Sequence, residues 1–488
     1  MLVAAFLIYA AAALVVHRDQ KNLFLPERSS IAAAVSNVVY GAPLGKVYSG
    51  LLDKFLTFDV PMTQTLAQAA HHELEPGALR GATADGNGIG YILVASASMC
   101  LFGPHVSSIV LGMLILMGVS ILAFLWRYRD ERALVVILCF VSLTVMLFTP
   151  MVWSNFAGQV SVGGIRYFSL VAILPAFHLL LECADTREGG GGMEALRKLV
   201  PMAAQVVILF LAVLVRNEAA TVIAAIVAAS AWVAWGNRRD SAALKRVLGK
   251  TAYLAVTSAV FMGCLMLSVS RSYLSEGRFT ETLWHRIFVS LDLNPDWPFG
   301  NLRQIYDCTR YIPNGLGRGD QGGHCVLWVY ATEHHIPIDV VPTMTYGREY
   351  DVALREAFFN ILSLYPAQTL KTFYYYKVIN IGSSIGQSLE LKLTGLRRIL
   401  PWLFFAALGN LAAFATFRSP LSSSHNHKLI AGTTLLLGAF SISPLIAAWA
   451  NPSTDGDLLF YCLFGLGLTV TALVQKVRLA RTKAPSLT

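Results

Sequence analysis

The chain has 488 residues, of which 55% are apolar and only 14% charged, with a mean hydropathy of +0.56. Soluble proteins carry charge on about 25% of their residues, and here charge is nearly absent from several long runs, so a soluble globular domain is excluded. The formal net charge of +9 reads as basic loops beside anionic headgroups, since no basic patch with interleaved aromatics points to nucleic acid.

Residues 1–16, MLVAAFLIYAAAALVV, lack the basic start and small-residue cleavage site of a signal peptide. They read as a short first span of a chain whose start lies further upstream. The region 17–104 follows. Within it Pro61 can occupy the first turn of a helix, with Asp59 at or just before its N-cap, where free N–H groups and the helix dipole favour a carboxylate. That helix is expected to run to about Leu74 and to stop at Pro76-Gly77. Its one apolar side suits a membrane surface. Asp59 reads equally as a simple cap. His71-His72-Glu73 read as a solvated face, because neighbouring helical side chains diverge. Asp85-Gly86-Asn87-Gly88 reads as a turn before the next helix. Residues 89–103 are apolar but only about 15 long, short for a span, and are expected to form an interfacial or re-entrant helix.

Further spans are expected near 105–125, 133–152, 162–182, 199–215, 218–236, 249–270, 398–417, 429–449 and 457–475. The pair 199–215 and 218–236 is divided only by Arg216-Asn217-Glu218 and could be one long helix. The basic connections are Trp126–Arg132, Arg197-Lys198, Gly236–Arg239 with Lys245-Arg246, Arg418 with Lys428, and Lys476–Lys483. With all of them in the cytoplasm the spans alternate without violation and both termini lie inside. Arg216 and Arg166 then fall at outer span ends. An arginine at such depth needs a partner or a polar cavity, and its planar fork suits a phosphate. Snorkelling to the interface is the plainer reading of both.

Residues 271–397 read as a folded extracytoplasmic region. It holds Trp284-His285, a turn-rich Asn294–Gly300, and a helical segment over roughly 346–377 whose aromatic, Lys-flanked end suits a membrane interface. Cys308 and Cys325 stand alone in that polar region, where an oxidising compartment favours pairing them. Their spacing with a single His matches no usual zinc site, so no metal site is assigned. The other five cysteines lie in apolar segments and read as small core hydrophobes. The whole is an all-α polytopic membrane protein. It comprises an N-terminal transmembrane module over 1–270 with the external loop 17–104, an extracytoplasmic region over 271–397, and C-terminal transmembrane helices over 398–488.

Several stretches together resemble the GT-C glycosyltransferases, most closely the bacterial branch related to protein mannosyltransferases and lipid A aminoarabinose transferases. They are FDVPMTQTLAQAA, ADGNGIGYILVASASMCLFGPH, VLVRNEAATVI, WHRIFVSLDLNPDWPFG and YGREYDVALREAFFNILSLYP. The resemblance implies a GT-C-like bundle of about 10–11 transmembrane helices. It also implies inverting transfer of a sugar from a polyprenyl-phosphate donor to a lipid or glycan acceptor, on the extracytoplasmic face of a bacterial inner membrane. By motif position it implies Asp59 as general base and Arg216 as the donor-phosphate residue, with Arg166 beside it and Asp85, Glu218 and His285 as further candidates. It leaves a divalent cation, Mg2+ or Mn2+, open as a cofactor. No Asp-Glu or Asp-x-Asp pair follows Asp59, so no metal ligand is named. A transporter or sugar-lipid flippase, an O-antigen-type polymerase or ligase, and a non-catalytic assembly protein are the rivals. Against transport, the span interiors hold almost no ionisable groups except His178 and Glu182.

Overall fold

The computed structural model describes residues 25–48, 51, 79–81, 88–129, 165–185, 192–215, 220–269, 271, 283–298, 320–337, 341, 348–377 and 379. The expected spans 1–16, 133–152, 398–417, 429–449 and 457–475, and the expected helix after Asp59, lie outside the described residues.

The chain is a multi-pass membrane protein. Three described helices are long and apolar enough to cross a bilayer, with spanning stretches at Leu111–Tyr128, Gly192–Val215 and Ser241–Ser268. In chain order the bundle consists of α1 (Leu25–Tyr40), α2 (Ile89–Phe102), α3 (Val106–Tyr128), α4 (Ile165–Ala184), α5 (Gly192–Val215), α6 (Ala220–Gly236) and α7 (Ser241–Ser268). α5 packs on α2, α3, α4 and α7, so it is the hub of the described bundle.

The segment 199–236 is two helices. α5 ends at Val215 and α6 begins at Ala220, yet both pack along α4. Ser230, midway along α6, reaches the Cys183 thiol at the end of α4. One continuous helix could not lie beside α4 twice, so the chain turns back around Arg216.

Four helix ends gather at what we term the basic end. Arg127 of α3 meets Glu182 of α4, Lys250 of α7 meets the last carbonyls of α4, and Tyr253 of α7 donates to the Leu199 carbonyl of α5 at 3.0 Å. The basic residues at 126–129, 197–198 and 236–246 therefore lie at one end of the described bundle, those at 197–198 inside α5 and not in a loop. There Asp240 caps α7 by accepting from the N–H groups of Ala242 and Ala243 at 3.0 and 3.1 Å.

The opposite end is organised by close backbone approach. α1 was not legible as a helix in the sequence, because its buried run Ile31–Val35 is mostly alanine and lacks a polar face. It stops at Gly41, whose φ of +66° closes the last turn through Gly41 N–H to Asn37 O and Ala42 N–H to Ser36 O. Strands β1 (Lys46–Tyr48) and β2 (Leu79–Gly81) then pair antiparallel. They close the base of the excursion that carries Asp59. Leu44 bridges to Val269, just past the end of α7.

α2 is 14 residues long, about 21 Å at 1.5 Å per residue, which is too short to cross a hydrocarbon core of about 30 Å. It packs against α1, α3 and α5. The Gly-rich entry is explained by this packing. A Cβ on Gly88 would lie 2.0 Å from the Leu214 carbonyl oxygen, and one on Gly90 would lie 2.6 Å from Val215 N and 2.7 Å from Leu211 O. The Gly88 N–H donates to Val215 O at 3.0 Å. The positive end of one helix dipole thus meets the negative end of another.

Beyond the bundle lies a helical unit formed by α8 (Leu283–Val289) with a 3-10 turn (Ser290–Leu293), α9 (Asp320–Glu333), α10 (Arg348–Leu364), and α11 (Pro366–Lys371) running into a π turn (Thr372–Tyr376). Its own core comprises Phe288, Leu291, Trp297, Val326, Leu327, Tyr350, Leu354 and Ile361, among others. The helix expected over 346–377 is interrupted, because Pro366 lacks an N–H and starts a new helix after Tyr365.

Gly88→Ala or Gly90→Ala should each lower stability by about 1–3 kcal/mol through overpacking at the α2–α5 contact. Gly192→Ala, where an added Cβ meets nothing within 4 Å, should leave the midpoint of thermal unfolding in detergent unchanged.

Candidate functional site

The described residues that border two of the expected site residues lie at the end of the bundle opposite the basic end. Arg216 follows Val215 directly, and Asp85 precedes Gly88 by three residues, so the Gly88–Val215 hydrogen bond anchors both chain segments at one point. Arg166 lies in the first turn of α4, whose other end carries Glu182, so it belongs to the same end as Val215. The residues Asp59, Asp85, Arg216, Glu218 and Cys308 themselves lie outside the described residues, as does the side chain of Arg166.

His285 and Cys325 are in the outer unit. His285 is buried, with Nδ1 2.5 Å from the Tyr350 hydroxyl. The pair is possible because α9 presents Gly323 there. A Cβ at that position would lie 2.4 Å from the Tyr350 oxygen. His324 stacks obliquely on the same tyrosine, with ring centroids 6.0 Å apart. Cys325 is fully buried and disulfide-bonded, and its partner lies outside the described residues. Next to this pair the backbone N–H of Trp284 donates to Asp351 at 3.2 Å. Burial raises the Asp351 carboxyl above its ordinary range, opposed by that N–H.

The turn Asn294–Trp297 locks the end of the unit. Asn294 donates to Gln368 O and Thr372 Oγ1 at 3.1 and 3.0 Å, and Trp297 donates to Leu291 O at 2.9 Å. Asp296 accepts from Lys371 at 2.6 Å and from the Tyr376 hydroxyl, and these two donors hold its carboxyl below the usual range. Lys377 is 1% exposed, its ammonium 4.2 Å over the Phe373 ring, and burial pushes its pKa down to about 6.

The buried ionisable groups inside the spans are compensated. Glu182 is fully buried and accepts from Arg127 and from the Tyr128 hydroxyl at 3.0 Å. Lys250 sits 3.7 Å from its other oxygen and donates to the carbonyls of Glu182 and Asp185 at 2.8 and 2.6 Å. Arg127 also reaches Asp185 at 3.4 Å. Two cations thus balance two carboxylates across α3, α4 and α7. Gln205 of α5 extends the network, exchanging hydrogen bonds of 2.8 Å with Ser120 and donating to His178 Nδ1 at 3.2 Å. The sequence signal for this cluster was Glu182 itself, since a carboxylate in an apolar run requires a cation. The partners were hidden because Arg127 reads as a loop charge and Lys250 falls at the edge of the expected span 249–270.

Among the described residues no group of three or more His, Cys, Asp or Glu side chains is placed to hold a metal ion, so no described donor set fits a divalent cation.

No known protein family matches the chain, and no curated protein matches it. Among solved structures, similarity extends to the crystal structure of ArnT from Cupriavidus metallidurans bound to undecaprenyl phosphate. The identity is 13%, over 96% of this chain and 77% of that one, with a TM-score of 0.35. The apo state of the same protein gives 13% identity, 95% and 76% coverage, and a TM-score of 0.32.

Glu182→Gln leaves Arg127 and Lys250 buried without their carboxylate and should destabilise the bundle by about 3–5 kcal/mol. Arg127→Met added to Glu182→Gln should cost less than the sum of the single changes in a double-mutant cycle. For Lys377 the sign follows from its lowered pKa. The unfolded lysine binds a proton that the folded one gives up between pH 10.5 and about 6, so stability falls as pH drops through that window. Lys377→Met should therefore raise the unfolding midpoint at pH 7, and the gain should shrink as the pH approaches 10.

Proposed function

We propose that the chain is a GT-C-type membrane glycosyltransferase that transfers a sugar from a polyprenyl-phosphate donor to a lipid or glycan acceptor, at the end of the bundle opposite the basic end. The observation that carries the reading is the Gly88–Val215 hydrogen bond. It ties the Gly-rich entry of α2 to the residue before Arg216, on the side where β1 and β2 close the Asp59 excursion. This supports a reading in which the Asp59 carboxylate and the Arg216 guanidinium meet at that end. With the basic end in the cytoplasm, that end is extracytoplasmic.

The acceptor hydroxyl oxygen attacks the anomeric carbon as the bond from that carbon to the phosphate oxygen breaks, which inverts the centre. Asp59 takes the hydroxyl proton as general base. Arg216 holds the donor phosphate and stabilises the charge that develops on it as it leaves, with Arg166 as a second cation. Glu218, two residues after Arg216, and Asp85, three before Gly88, orient the guanidinium. The outer unit, stapled through Cys325 to Cys308 and braced by His285, caps the acceptor. The compensated Arg127–Glu182–Lys250 cluster speaks against ion-coupled transport, because it leaves no unbalanced charge there to follow a substrate.

Purified protein in nanodiscs, given a panel of polyprenyl-phosphate sugars, should transfer from at least one of them. Asp59→Asn should lower kcat by about 10²–10⁴-fold with little change in donor KM. Arg216→Gln should weaken both donor binding and turnover. Full activity of Asp59→Asn would remove the base assignment, and failure of every donor would remove the reaction.

A further inference from the structure

The last helix of the outer unit has its polarity reversed. Along Pro366–Tyr376 the side chains turned away from the protein are Leu370, Tyr374 and Tyr375, which are 52%, 71% and 53% exposed, and Ile379 continues the row at 51%. The side turned inward carries Thr369, Thr372 and Lys377, each at or below 1% exposure, with one apolar side chain, Phe373, half-buried against the core among them. A helix packed on a water-soluble domain does the opposite, placing its apolar stripe inward and its polar side chains in water. The reversal is held in place, because Asn294 bonds Thr372 and the Gln368 carbonyl, and Trp297 buries against Leu291. The helix therefore cannot roll to hide its apolar row.

The surroundings identify what covers that row. The preceding helix α10 also exposes apolar side chains, Phe359 at 51% and Leu364 at 61%. The charged edge of the row is Lys371, paired with Asp296 and lying 5.3 Å over the Tyr376 ring. Tyrosines beside aliphatic residues, with a lysine at the margin, are the composition of the boundary between headgroups and acyl chains. The element from Pro366 to Tyr376 spans about 16 Å at 1.5 Å per residue, so it lies along that boundary instead of crossing it.

We propose that α11 and its π turn are a membrane seat, with Leu370, Tyr374, Tyr375 and Ile379 inserted among the lipids of the protein's own bilayer. This does not depend on the transferase reading. Seating the helix fixes the outer unit against the bilayer surface, with Lys377 on the protein side of the seat and the aromatic row on the lipid side.

The test uses full-length protein in nanodiscs, with Leu370→Cys, Tyr374→Cys or Thr332→Cys carrying an environment-sensitive fluorophore. Thr332 is exposed near the end of α9 in the same unit. The parent without the introduced cysteine sets the labelling background, and unfolding midpoints confirm that each variant folds. Labels at 370 and 374 should be quenched by lipids bearing a nitroxide near the headgroup. Their quenching by aqueous iodide should be about fivefold weaker than that of the label at 332. Equal iodide quenching at all three positions, without lipid quenching, would overturn the proposal. So would iodide protection at 370 and 374 that arises only on adding a soluble oligosaccharide, which would make the row a glycan platform.

Discussion

A single backbone hydrogen bond, from the N–H of Gly88 to the carbonyl of Val215, organises the end of the bundle opposite the basic end. It exists because Gly88 and Gly90 have no side chains. With a Cβ at either position the start of α2 could not approach the end of α5. The contact sets one helix N-terminus against another C-terminus, so each satisfies groups that would otherwise be unpaired in an apolar setting. It joins the chain just after Asp85 to the chain just before Arg216.

The opposite end is built on charge. Glu182 would be intolerable in an apolar helix by itself, and Arg127 and Lys250 would be nearly as costly. Together with Asp185 they close a neutral group that joins α3, α4 and α7, and Lys250 additionally caps the carbonyls at the end of α4. That end spends its ionisable groups on holding helices together. The outer unit repeats the pattern on a smaller scale, with His285 and Tyr350 paired inside the core and Asp296 and Lys371 paired at its edge.

The sequence made some of this legible and hid the rest for identifiable reasons. Apolar runs punctuated by basic residues gave the helical, multi-pass architecture and the gathering of the basic residues at 126–129, 197–198 and 236–246 at one end, because hydropathy and charge are local properties. The apolar run 89–103 forms a helix of 14 residues, as short as its sequence. The helix α1 was missed, since a small-residue helix buried on every side carries no amphipathic period. The break at Pro366 was written in the residue itself but was overridden by the apolar recurrence across it. Gly88 looked like a turn glycine, when its role is set by Leu214 and Val215, more than 120 residues away. His285 drew attention as a polar residue in an aromatic context, and only its contact with Tyr350 reveals that it is held inside the unit. Asp59 and Arg216 are read from the sequence alone, and both lie outside the described residues.

The most direct measurement is a cryo-electron microscopy structure of the full-length protein in nanodiscs with a polyprenyl phosphate bound. The account predicts the phosphate within hydrogen-bonding distance of Arg216, at the Gly88–Val215 end, with the Asp59 carboxylate facing it across the cleft. A phosphate bound instead among Arg127, Lys250 and the loops of the basic end, or Asp59 turned away from Arg216 on the far side of the bundle, would contradict it.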